Sequence, residues 1–140
     1  MYLNCKSYYS FRYGTFSTEE LVRAAVEKGV PTLALTNINS TYDLWEFVNL
    51  CRKHHIKPVC GVEVRNEDTL LYLLLAATNA GLAWIHQFLS DHLIAKKKFP
   101  APADDPSFFN VPRDGFVIYP LDAKPFDELK VNERIGIKPW

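Results

Sequence analysis

Cysteine is scarce in this chain, and neither sign of charge is in excess. Only Cys5, Cys51 and Cys60 occur, an odd number without C-x-x-C spacing, which excludes a disulfide framework and argues against a zinc or redox pair. No secretory hydrophobic region precedes them, so a reduced, cytoplasmic setting is expected. The 16 basic and 16 acidic residues cancel, which leaves no overall electrostatic footprint for nucleic acid. Long hydrophobic runs are missing too. The most apolar window, Leu70 to Ala77, is far too short to cross a bilayer and reads as a buried strand. Internal repeats and low-complexity tracts are absent.

What remains is the composition of an ordinary globular domain, with 48% hydrophobic and 23% charged residues in 140. A chain of that length buries roughly two-thirds of its unfolded surface in one core. The stretch from Tyr2 to Asn37 organises the rest and reads as one βαβ unit. Tyr2 to Lys6 is a short strand, and Ser7 to Gly14 an aromatic, serine-rich turn. Ser17-Thr18-Glu19-Glu20 has capping-box spacing and predicts a helix start. Gly29 supplies a left-handed stop, Pro31 forbids continuation, and Thr32 to Thr36 suits a buried parallel strand. The ends of such strands are where βα folds place chemistry, so Asn4, Lys6, Asn37 and Ile38 are the positions to interrogate.

Further along, Ser40 and Asp43 have the spacing of a second capping box, ahead of a stripe of Leu44, Phe47, Val48 and Cys51. His54 and His55 suit the negative end of that helix rather than a metal, because adjacent helical residues diverge. Pro58 to Val64 is a third strand, Arg65 to Asp68 a turn, and Leu70 to Ala77 a fourth strand. Thr78 caps a third helix with Leu82, Ile85, Phe88 and Leu89 on one face; His86 and His92 on or near it have no partner ligands. Residues 1–95 thus form βα units. A proline-rich loop follows over 96–114, opening on Lys96-Lys97-Lys98, a solvated run. Residues 115–140 hold a strand at Phe116 to Tyr119, a helical turn from Phe126 to Lys130 and the start of a strand at Ile135. Tyr8, Tyr9, Phe11, Tyr13 and Phe16 make the first turn unusually aromatic. A lid over a cleft and a partner surface are both open readings, with buried loop packing the default.

Five blocks carry a resemblance: Leu3 to Ser10, Thr18 to Val22, Gly29 to Asn37, Ile56 to Val64 and Leu73 to Gly81. In this order and spacing they resemble the N-terminal PHP domain of bacterial DNA polymerase III alpha subunits, over roughly residues 1–93. The resemblance implies an α/β fold, a partial distorted βα barrel of PHP type with mostly parallel strands, of which this chain is the N-terminal portion. In the family a His-x-His motif, an Asp-His motif and a later glutamate hold divalent metals for phosphoester hydrolysis. These positions fall on Asn4 and Lys6, on Asn37 and Ile38, and on Glu63. Neutral amides, an ammonium and an aliphatic side chain are hostile to such ions, so these five residues are expected to be the relic of a metal site, without catalytic residues. Lys6 is expected to replace the lost metal charge by pairing with Glu63.

By the same resemblance, the parent chain is a DNA-directed DNA polymerase, a nucleotidyltransferase of DNA replication that would use Mg. This segment needs no cofactor and is catalytically inactive. It serves as a scaffold and a platform for the proofreading exonuclease subunit and other replicase subunits, with DNA reached through the parent chain. No membrane contact is expected, and open strand edges invite self-association. The alternatives are an active metal-dependent phosphoesterase of the PHP superfamily and a stand-alone interaction module.

Overall fold

The computed structural model describes residues 1–102 and 111–137. Six strands form one curled half-barrel sheet in simple sequential order. They are β1 (Tyr2–Cys5), β2 (Thr32–Leu35), β3 (Lys57–Asn66), β4 (Thr69–Ala76), β5 (Gly115–Pro120) and β6 (Glu133–Gly136). Three helices, α1 (Thr18–Glu27), α2 (Leu44–Lys53) and α3 (Asn79–Ile94), and a 3-10 turn at Phe126–Glu128 complete the fold. No helix of the described residues is long and apolar enough to cross a membrane.

The first unit forms as the sequence predicts. Ser17 accepts from the Glu20 amide while the Glu20 carboxylate takes the Ser17 amide, a complete capping box. Gly29 stops the helix at a φ of 61°. Val22 and Ala25 of α1 and Leu44, Phe47 and Cys51 of α2 pack against Leu33 and Leu35 of β2. A second core gathers Ile85, Phe88 and Leu89 of α3 with Val62, Val64, Tyr72, Leu74, Val117 and Tyr119 of the sheet.

Strand direction departs from a pure βα alternation midway along β3. Its first half, Lys57 to Cys60, pairs parallel to β2; its second half, Gly61 to Asn66, pairs antiparallel to β4. The turn expected over Arg65 to Asp68 is tighter, because Arg65 and Asn66 belong to β3 and only Glu67 and Asp68 separate the strands. Two residues suffice for a hairpin, whereas a parallel return needs a dozen or more. β5 is antiparallel to β4 and parallel to β6, so three of the five pairings are parallel. The 96–114 loop is described only in part: Phe99 is buried against α3, and Tyr72 donates to the Pro100 carbonyl. Pro106 and Trp140 lie outside the described residues.

Two further sequence expectations are corrected. The second capping box does not form: α2 starts at Leu44, and Asp43 at its N-cap makes no capping bond because its carboxylate is engaged elsewhere. The aromatic turn is not packed inside either. Phe11 is 83% exposed, and Tyr8, Tyr9, Tyr13 and Phe16 all reach solvent. Its compactness comes instead from backbone bonds, Tyr8 to the Phe16 carbonyl and Ser10 to that of Ser7.

Candidate functional site

β1, β2 and β3 lie side by side, so the residues at and just beyond their C-terminal halves converge. Lys6 leaves the end of β1 and Glu63 stands on the second half of β3. They meet at 2.7 Å between Lys6 Nζ and Glu63 Oε2, the pairing expected from the sequence. Both side chains are largely withdrawn from water, 12% and 1% exposed. Asn4 Nδ2 donates to the same carboxylate oxygen at 2.9 Å, and Asn4 Oδ1 accepts from Lys6 Nζ at 2.7 Å. Thr36 Oγ1 completes that amide's acceptor side at 2.9 Å.

The other carboxylate oxygen, Oε1, takes the Arg65 Nε at 2.6 Å. Arg65 also bonds the Tyr13 hydroxyl, and its guanidinium carbon stands 4.4 Å from the centre of that ring. One ring of the aromatic turn therefore packs on Arg65 at the edge of the cluster. Glu63 is thus pinned by two cations and one amide. Burial by itself pushes its carboxyl up, but hydrogen bonds from Lys6, Arg65 and Asn4 and the Lys6 charge outweigh this and leave it below the ordinary glutamate value.

Asn37 belongs to a second, fully buried network. Its Oδ1 accepts from the Ser7 amide at 3.0 Å and the Ser10 hydroxyl at 2.7 Å; its Nδ2 donates to Ser7 Oγ at 2.9 Å and Asp43 Oδ1 at 2.7 Å. Asp43 Oδ2 accepts from the hydroxyls of Ser7 at 2.6 Å and Thr18 at 2.7 Å. An amide suits position 37, where the side chain accepts on one side and donates to a carboxylate on the other. Ile38 contributes backbone alone: it forms a parallel bridge with Glu63, and its amide donates to Ser10 Oγ.

Of the five expected positions, the structure joins Asn4, Lys6 and Glu63 directly, sets Ile38 beside them through the backbone, and places Asn37 in the adjoining network. Arg65, Thr36 and Asp43 were missed. For Arg65 the signal was present, because residues two apart on a strand share a face and Glu63 and Arg65 are so spaced. For Asp43 it was masked by the capping-box spacing with Ser40.

These residues do not fit a divalent cation. Both oxygens of Glu63 already face cations, the Asn4 oxygen is saturated by Lys6 and Thr36, and the ammonium stands among them. Burial raises all three thiols, Cys51 to about 11 and Cys5 and Cys60 in the same direction. Among the described residues no three His, Cys, Asp or Glu side chains cluster.

A model of the PHP domain family matches residues 3–113. The DNA polymerase III subunit alpha of Ureaplasma parvum is 26% identical over 117 residues, covering 84% of this chain and 12% of that protein. That of Staphylococcus aureus is 31% identical over 93 residues, covering 64% of this chain and 9% of its own length. The chain thus spans about a tenth of the curated relatives it matches. Among solved structures, an amidohydrolase from Chromobacterium violaceum aligns with a TM-score of 0.53 at 23% identity. A protein assigned as a metal-dependent phosphoesterase from Bifidobacterium adolescentis aligns with a TM-score of 0.50 at 19%. Each alignment covers 67% of this chain and 33% of the other, and shows likeness of fold.

Proposed function

Because the chain belongs to the PHP domain family, we propose that it is the N-terminal PHP segment of a bacterial DNA polymerase III alpha subunit whose metal site has become a fixed ion cluster. The observation that carries this reading is the position of Lys6 Nζ, 2.7 Å from both Glu63 Oε2 and Asn4 Oδ1. A tethered ammonium there neutralises the carboxylate permanently and needs no metal to hold the strand ends together. The segment is then a scaffold without phosphoesterase activity of its own.

The parent chain, on this reading, carries out Mg-dependent nucleotidyl transfer in cytoplasmic DNA replication. It contacts DNA outside this segment, and the segment serves as a platform for the proofreading exonuclease subunit and other replicase subunits. What supports the polymerase assignment is the run of alpha-subunit relatives across most of the chain.

Metal content by mass spectrometry tests the reading, on a chain extended through the whole PHP region and incubated with zinc and manganese, beside a phosphoesterase assay. Near-zero stoichiometry with no hydrolysis is expected. Two or more tightly held metals with turnover would establish an enzyme instead. An encoding gene without downstream polymerase sequence would remove the polymerase assignment while leaving the ion cluster untouched.

A further inference from the structure

α2 and α3 do not close on each other. Between them runs an open groove made of two adjoining cavities of about 500 and 340 Å³ that share Thr41, Tyr42 and His86. One wall is Trp45, Val48 and Arg52, at successive helical turns of α2; the other is Leu82, His86, Leu89 and Leu93, at successive turns of α3. Trp45 is 77% exposed and Leu93 49%, so each cavity presents a large apolar side chain to solvent.

The lining is also one-sided in charge. Among the described residues no aspartate or glutamate lines either cavity. Arg52 and His86 do, and neither side chain makes a hydrogen bond or ion pair with the described residues. A guanidinium with no hydrogen bond or ion pair among the described residues, flanked by aromatic and aliphatic walls, is complementary to a carboxylate carried on an apolar body.

Length decides between a small molecule and a chain. The α3 wall from Leu82 to Leu93 runs about 17 Å at the helical rise, the length of a helical segment of about 11 residues. We propose that this groove docks an acidic amphipathic helix of a partner protein, with apolar side chains between Trp45 and Leu93 and carboxylates against Arg52 and His86. This does not rest on the polymerase reading, because it uses only the outer face of α2 and α3.

Fluorescence anisotropy with the full chain tests it, using two labelled synthetic helical peptides of about 15 residues. Both carry leucines at i, i+4, i+7 and i+11; one has glutamate at the remaining polar positions and the other lysine. The glutamate peptide should bind at least about tenfold more tightly at low salt and lose that advantage as salt rises. Arg52→Glu should reverse the preference and Trp45→Ala should weaken binding of the glutamate peptide, with circular dichroism unchanged in both variants. Equal binding of the two peptides, binding of neither, or a preference that survives Arg52→Glu overturns the proposal. So does tighter binding of a single-stranded oligothymidylate that the same substitution abolishes, which would make the groove a nucleic-acid surface.

Discussion

The ammonium of Lys6 and the carboxylate of Glu63, from strands separated by a whole βα unit, meet at 2.7 Å with almost no water around the carboxylate. Breaking such a pair costs most when it leaves a buried charge alone. Lys6→Met leaves Glu63 with Arg65 and Asn4, so a loss of about 1–3 kcal/mol is expected. Glu63→Gln leaves two facing cations without their anion, and about 2–4 kcal/mol is expected. Urea unfolding of both variants checks the order. A costlier Lys6→Met would mean that Arg65 does not share the load.

The stability of the chain should fall in acid for a definable reason. Glu63 and Glu133 are both held below the ordinary glutamate value; burial raises each, but cationic and amide donors outweigh it, Lys6, Arg65 and Asn4 for the first and Lys124, the Lys130 amide and Tyr119 for the second. A carboxyl lowered in the folded state contributes stability that is present above the unfolded value, about 4.3, and is lost as pH falls through the folded value. Urea midpoints should therefore be flat from neutrality down to about pH 5 and then drop. Glu63→Gln should flatten part of that drop. An unchanged acid limb in that variant would assign the effect to other groups.

How much of this was legible beforehand depended on range. Ser17 and Glu20, Gly29 with Pro31, and Thr78 as the α3 cap are local signals, and the structure places each as read. Lys6 and Glu63 are distant in sequence, and their pairing was legible only through the resemblance to PHP domains, whose metal-ligand positions both occupy. The antiparallel turn at β3 was less visible, since a continuous apolar strand such as Leu70 to Ala77 pairs equally well in either direction. Asp43 was read as a cap because spacing alone cannot say which way a carboxylate faces. Burial is the default reading of the aromatic turn because large rings usually mark a core, and only the structure decides against it in favour of the exposed readings.

Asp43 has a testable role in holding that turn. It accepts from Ser7, Thr18 and Asn37, tying the turn after β1, the start of α1 and the end of β2 to the start of α2. Asp43→Ala would leave three buried donors without an acceptor, at about 1–3 kcal/mol for each one that stays unsatisfied. Amides from Tyr8 to Gly14 should then exchange faster with deuterium than those of α3. Uniform acceleration across the chain would show global destabilisation without a local role for the network.

Asn37→Asp places at position 37 the acid that the resemblance to PHP domains implies for that position. The aspartate would face Asp43 across the present 2.7 Å contact, with no proton on the amide nitrogen's side to mediate it. Two carboxylates so close cannot both ionise cheaply, and one is pushed above its ordinary value of about 3.9. A carboxyl raised in the folded state destabilises above that raised value, and the penalty fades as pH falls toward the unfolded value. The variant should therefore be less stable than the parent at pH 7, with the gap narrowing toward about pH 4. Added zinc or manganese should not close the gap at pH 7, because Asn4, Lys6 and Ile38 still occupy the other positions. A melting temperature that rises on adding metal would show that the cluster still accepts a divalent ion, and would count directly against the ammonium as its substitute.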